Sequence, residues 1–432
     1  MNKLSLLILI LLLANNCSIK KNQGFWSKDK SNIDEVENSK IILTKQARKE
    51  QELNPTLEIK VSEEKFNKNI NNNQNNIGEL SYEGSLEKIG KYNFSKFDDF
   101  EYVNTQPIFY NEYVIYSDNK GSIILYDENQ KIIWKKNFYN KNKKKLKPRL
   151  NFANHENILI VTDNVSKYYA INIETGNIIW SKNNIVPFNS EIKIKDNFFY
   201  TVDYKNILRS ISIKDGSEIW NLKTEESLTK SNTKTSIAIK NENIYFNNSI
   251  GDITAVNLKS GQLIWQLPTQ SNDASRNTFK LSNSELVVDE SSILFSNNRN
   301  EFYSIDTTTG LINWKNEINS DLRPIVIGKF IITVSNKGYL YVINKKTGNI
   351  IRVNNLFKNF KIKKREDMIA TGFVIALNKV YLSNNDGILI IADLYTGNIL
   401  NIKKISGQKI LKPYVKNNNL FLIKNGSIIK YN

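Results

Sequence analysis

From residue 121 to the end, the chain repeats one phrase of alternating apolar and polar positions. Its clearest copy is Gly251–Trp265, GDITAVNLKSGQLIW. An alternating run leads to an Asp, Asn or Ser, and in most copies a Thr-Gly, Ser-Gly or Asp-Gly pair follows. A second apolar run then closes the phrase. Alternation with a period of two is the pattern of a strand with one face buried. The Asp or Asn followed by Gly makes a tight turn, because the side chain bonds nearby backbone and Gly supplies positive φ. The marker residues are Asp127, Asn172, Ser212, Asn257, Asp306, Asn344, Asp393 and Asn432, at intervals of 38 to 49 residues. Another apolar run precedes each phrase, such as Ile158–Val161 or Phe198–Val202. With a less regular inner strand this makes four strands per unit. Strand-built repeats with periods near 40–45 residues are propeller blades. The pattern therefore predicts an all-β fold, an eight-bladed β-propeller of four-stranded blades spanning residues 86–432.

The eighth copy stops at Asn432, before its return strand. An open ring leaves unpaired edges. Lys88–Phe97 (KIGKYNFSKF) alternates suitably and lies just ahead of the first blade. It is expected to pair beside Gly426–Asn432 and close the propeller as an N-terminal strand.

The first 85 residues have a different texture. Leu4–Leu13 is an almost unbroken apolar run behind Asn2-Lys3, too short to span a bilayer and typical of a secretory signal. Residues 17–85 hold polar stretches such as KSNIDEVENSK and NNNQNN, with few apolar clusters. Such material cannot offset the entropy of ordering, so it reads as a flexible tether. Phe25-Trp26 is an aromatic pair within it. Docking on a partner, on the propeller or at a membrane surface, or no fixed structure, all remain open for that pair.

Composition removes most chemistry. The formal charge is +17, but the lysines are spread along the chain. An acidic partner and a lysine- and asparagine-rich coding bias both produce that pattern, and no nucleic-acid site is expected. The one dense run, Lys141–Arg149, falls between strand-like segments and reads as a solvated loop. Cys17 is the single cysteine and His155 the single histidine, the latter placed in a polar turn. No intrachain disulfide, cysteine-based metal site or Ser-His-Asp set can be assembled. There is no Gly-rich phosphate loop either. Neither an enzymatic role nor a cofactor is expected.

Three resemblances add to this reading. Leu13-Ala14-Asn15-Asn16-Cys17 resembles a bacterial lipoprotein signal, although Leu stands four residues before the cysteine and Asn fills the small-residue site. The resemblance implies removal of residues 1–16, a lipid on Cys17 and, with Ser18 next, placement on the periplasmic side of the outer membrane. An ordinary cleaved signal is the alternative. Second, Trp180, Trp220, Trp265 and Trp314 each lie ten residues after a small residue and four after a Gly. Together with Trp134 they resemble the tryptophan-docking motif of quinoprotein-type propeller repeats. In that family each indole packs against the next blade, which implies core positions for these five. The quinone-cofactor dehydrogenases of the same repeat family carry adjacent cysteines and long roofing loops, and this chain has neither.

Third, the order of signal, tether and propeller resembles the BamB family, the lipoprotein subunits of the outer-membrane β-barrel assembly machinery. The resemblance implies a monomeric scaffold that docks on the periplasmic domains of BamA, the central barrel-forming subunit. Two loops correspond to the family's docking loops, Glu225–Thr235 and Ser271–Ser282. In them Leu228, Lys230, Asp273 and Arg276 approximate the family's contact residues, with ordinary surface loops as the alternative. A second functional reading is a periplasmic propeller that binds a small ligand or polysaccharide in its central channel.

Overall fold

The computed structural model describes residues 52–54, 57, 59, 82–103, 105–225, 234–269 and 281–432. Among them stand eight antiparallel sheets of four strands each, arranged as the blades of a ring. Blade three shows the pattern. Its strands are Lys193–Lys195, Phe198–Val202, Ile207–Ser212 and Glu218–Lys223, paired in that order from the axis outward. The second strand is buried at Phe199, Tyr200, Thr201 and Val202, because both its faces pack on neighbouring blades. The outermost strand alternates exposed and half-buried residues. A fully buried strand reads as a continuous apolar run, and a half-buried one as an alternation. The two runs of each phrase therefore differ for a physical reason.

The marker residue builds the turn. In blade two Asn172 Oδ1 accepts from Thr175 N at 2.9 Å and from Thr175 Oγ1 at 3.1 Å. Gly176 N donates to Asn172 O at 2.8 Å, and Gly176 sits at φ +65°. The small residue ten positions before each Trp is its cross-strand partner: Ala170 faces Trp180 and Ser210 faces Trp220. A register shift follows directly, between Ser210 and Ile211. Such a bulge re-aims the strand's side chains, and here it turns the indole toward the next blade. Trp180 Nε1 donates to Ile213 O at 2.7 Å, and its ring lies where a Cβ on Gly216 would meet it at 2.7 Å. Trp134, Trp220, Trp265 and Trp314 donate to Ile173, Leu258, Thr307 and Lys345 carbonyls in the same way. All five indoles are half-buried rather than fully in the core. They stand on outer strands, with one face on the next blade and an edge toward solvent.

The ring closes as the strand pattern predicts. Lys88–Asn93 pairs with Ser427–Tyr431, with Lys91 opposite Ile429 and Tyr92 opposite Ile428. Leu86 N donates to Asn432 O at 2.8 Å and Asn432 N to Glu87 O at 3.0 Å. Packing begins slightly earlier than residue 86, since Tyr82 is buried and its hydroxyl donates to Asn432 O at 2.8 Å.

Blade six has Arg352 where other blades have Trp. Arg352 faces Val342 across the strand pair, just before a register shift of the same kind. Its Nη2 donates to Leu394 O at 2.5 Å, on the residue after the marker Asp393 of blade seven. The guanidinium thus uses the carbonyl position that the indoles use elsewhere. It is fully buried, and burial pushes its pKa down to about 10. Residues from the stretch read as tether lie over it. Leu53 exchanges backbone bonds with Val353 at 3.1 and 3.0 Å, Arg352 Nη1 donates to Leu57 O at 3.1 Å, and Ile59 is buried among residues of blades six and seven.

Two local readings change. Lys141–Lys145, expected in a loop, forms a short helix capped by Asn140, whose side chain accepts from Lys143 N. His155 ends the inner strand of blade two, opposite Ile158, instead of lying in the turn.

Candidate functional site

The inner strands are short, from two to seven residues, and the hairpin register aligns them across the blades. The residue four positions ahead of each first-hairpin turn is Gln106, Asn151, Glu191, Ser236, Glu285, Arg323, Gly372 or Lys412, in blade order. Seven of these eight line a cavity of about 420 Å³. Its rim comes from the connections that run from one blade's outer strand to the next blade's inner strand, including Tyr102, Ser282, Asp321, Ile369 and Lys409.

The charges in this cavity interact closely. Arg323 Nη1 lies 3.1 Å from Glu285 Oε2, and Lys412 Nζ lies 3.9 Å from Glu285 Oε1. Lys193, two residues beyond Glu191 and not itself part of the lining, holds its Nζ 3.5 Å from Glu191 Oε2. Burial by itself would raise the Glu285 carboxyl. Lys412, Arg323, Lys193 and Lys234 overcome that and hold it at about 2. Burial pushes both Lys412 and Lys234 down to about 8, against the pull of Glu285 and Glu191. Asp321, which accepts from Ser282 Oγ at 2.6 Å, is raised by burial. Among the described residues, no three His, Cys, Asp or Glu side chains gather as metal ligands would.

The residues singled out in the sequence for partner binding, Leu228, Lys230, Asp273 and Arg276, lie outside the described residues, as do Cys17, Phe25 and Trp26. Their flanks are described. Thr224 Oγ1 donates to Asn206 O at 3.3 Å and Thr235 Oγ1 to Asn189 O at 3.2 Å, which fixes both ends of the first loop. Thr269 Oγ1 donates to Gly251 O at 3.0 Å at the start of the second. Both loops are outer-to-inner connections, so their anchors stand on the cavity side of the ring. The cavity ring escaped sequence reasoning because its eight positions share no residue type.

Residues 119–354, more than half of the chain, match the family described as outer membrane protein assembly factor BamB. The chain belongs to the BamB family. Its fold is similar to BamB from Moraxella catarrhalis, with a TM-score of 0.65 at 15% identity, covering 80% of this chain and 99% of that one. Quinohemoprotein alcohol dehydrogenase from Comamonas testosteroni is similar at a TM-score of 0.59 and 12% identity, covering 83% and 78%. Sqt1 from Saccharomyces cerevisiae is similar at 0.58 and 11%, covering 82% and 98%. At such identities the likeness shows the propeller fold alone. No curated protein matches the chain in sequence. BamB membership and the fold thus agree across the repeats that the family match covers.

Proposed function

We propose that this chain is a non-catalytic scaffold subunit of the outer-membrane β-barrel assembly complex. It docks on the periplasmic domains of BamA, works beside the other subunits, and assists insertion of outer-membrane proteins. The observation that carries this reading is the BamB family match across residues 119–354. The near-complete coverage of Moraxella BamB supports it. In this reading Cys17 carries the lipid that holds the protein on the periplasmic face of the outer membrane, and the propeller acts as a monomer. The loops Glu225–Thr235 and Ser271–Ser282 make the contact, with Leu228, Lys230, Asp273 and Arg276 at its centre.

Affinity purification from the native membrane tests the reading. BamA is expected to co-purify with the wild-type chain. Joint Ala substitution of Leu228, Lys230 and Arg276 should reduce that recovery at unchanged melting temperature. Absence of BamA from the wild-type preparation would refute the partner. Undiminished recovery with the triple variant would refute these loops. Mass spectrometry reads the anchor: the mature chain should begin at a lipid-modified Cys17, and an unmodified cysteine or another start would refute that step.

A further inference from the structure

Two basic runs stand on outer-to-inner connections, on the face of the ring that holds the cavity mouth. Lys141–Arg149 joins blade one to blade two and carries six cations and no acid. Lys358–Asp367 joins blade six to blade seven and carries five cations and two acids, Glu366 and Asp367. Each run contains a short helix, Lys141–Lys145 in the first and Ile362–Asp367 in the second, and neither helix buries a residue. The core therefore gains nothing from their side chains. Each run also exposes an aliphatic tip beside its lysines: Leu146 is 62% exposed and Ile362 68%.

The charges of the two runs are only partly answered from within the protein. Lys147 pairs with Asp98 at 2.9 Å, Lys358 with Glu52 at 3.8 Å and Lys364 with Asp386 at 3.5 Å. Lys143 Nζ donates to Asn183 Oδ1 at 3.4 Å, and the Arg149 guanidinium lies 5.7 Å from the Tyr102 ring centre. The connection from blade eight to blade one, between the runs, holds Asp98, Asp99 and Glu101, and Glu101 lies 3.7 Å from Lys409. Among the described residues, Lys141, Lys144, Lys145, Lys361 and Lys363 have no acid within salt-bridge distance.

Placement adds a second observation. Around eight blades the two runs stand three connections apart, centred on blade eight. The anchors of the loops Glu225–Thr235 and Ser271–Ser282 stand across the axis, around blade four. The chain also enters the fold on the basic side. Glu52, the first described residue, accepts from Asn355 N at 3.0 Å and lies against Lys358, at the start of the second run. Whatever is attached ahead of residue 52 is thus led to this side.

We propose that the basic side of the ring rests on an anionic lipid surface, with Leu146 and Ile362 at headgroup level and the unanswered lysines among the phosphates. The proposal rests on the lipid-anchored reading above, which puts a bilayer within reach. An apolar side chain flanked by lysines suits the boundary of headgroups and acyl chains. A protein partner would need one contiguous complementary patch, which two convex tips three connections apart do not make. A bilayer is flat and deformable and can meet both. The loops across the axis stay free to dock.

Vesicle flotation tests this with the chain from Ser18 to Asn432, which lacks the lipid site and keeps every described residue. At low salt, vesicles of phosphatidylglycerol and phosphatidylethanolamine should bind it at least about tenfold more tightly than phosphatidylcholine vesicles. Lys141→Gln, Lys144→Gln, Lys145→Gln, Lys361→Gln and Lys363→Gln together should weaken binding by about a hundredfold or more, since each lysine at an anionic surface contributes about fivefold. Gln at Lys214, Lys259, Lys329, Lys346 and Lys379, exposed at the turns of the opposite face, changes the net charge equally and should leave binding nearly as it was. Leu146→Ser with Ile362→Ser should weaken it about tenfold. Melting curves report that each variant is folded, and the wild-type comparison of the two vesicle types decides the matter if one is not. The proposal is overturned if the wild type does not prefer the anionic vesicles, if both lysine variants weaken binding equally, if the Leu146 and Ile362 variant binds as the wild type does, or if polyglutamate binds and the vesicles do not. An unmodified Cys17 in the native protein would sink the anchor and leave vesicle binding standing. Failed flotation would leave a lipid-modified Cys17 and recovery of BamA untouched.

Discussion

Ile59→Ala tests whether residues 52–59 form a strap over blade six. Ile59 is 3% exposed and belongs to the apolar cluster that holds Leu340, Val342 and Leu394 where blades six and seven meet. Truncating a buried Ile to Ala costs about 2–5 kcal/mol when the site cannot relax. Here it can relax, because a strap near a chain end can peel away and leave the ring folded. The loss is therefore capped by the docking free energy of the strap. The consequence is local. Val353 N donates to Leu53 O at 3.0 Å and Asn355 N to Glu52 Oε1 at 3.0 Å. Both amides depend on the strap for their acceptors.

Native-state hydrogen exchange reads this directly, since local opening is measured residue by residue. If about 2–3 kcal/mol of docking is lost, the Val353 and Asn355 amides should exchange about 30- to 150-fold faster. They should approach the rates found when residues 52–59 are deleted. Ile332 and Leu382, in the same apolar cluster but in inner strand ladders, should keep their protection. Unchanged exchange at Val353 would refute the strap. Equal acceleration at Ile332 and Leu382 would refute its local character.

Three further outcomes follow from the same geometry. Gly216→Ala sets a Cβ 2.7 Å from the Trp180 ring at φ +69° and should lower stability by about 2 kcal/mol in urea unfolding, whereas Gly407→Ala, with open space around it, should change nothing. Removing the chain through Asn93 strips the outer strand of blade eight, so the truncated protein should aggregate by light scattering where a truncation through Gln51 stays monodisperse. Glu285 is held at about 2 against an ordinary 4.5, so its contribution to stability is present above pH 4.5 and is lost as pH falls toward 2; Glu285→Gln should flatten that part of the urea midpoint–pH curve, and an unchanged slope would refute the assignment.

How much of this was legible in the sequence depends on whether a structural demand recurs in a fixed residue type. The blade turn asks for an acid, amide or hydroxyl at every marker and for a Gly after six of the eight, so the phrase shows eight markers and the ring could be counted. The ten-residue spacing to Trp reflects a cross-strand pair plus a bulge, as at Ala170 and Trp180, and it survives because the indole must land on a Gly of the next blade. Closure was legible because the missing return strand left one alternating segment unassigned. Arg352, by contrast, stands at the Trp position of its copy with nothing in the sequence to mark its role. The guanidinium reaches Leu394 O, where an indole would bond, and draws a strap from residues whose three apolar side chains, Leu53, Leu57 and Ile59, are too few to signal a strand. The cavity ring was hidden for the opposite reason. Gln, Asn, Glu, Ser, Glu, Arg, Gly and Lys share no pattern along the chain, and their common property, distance from the axis, exists only once the eight inner strands are in register. A blade-by-blade repeat therefore advertises its scaffold in the sequence, while the positions free to differ between blades hold whatever distinguishes one propeller from another. In this chain those positions are a cationic half-ring facing an acidic one, and an arginine where a tryptophan would have sufficed for the fold alone.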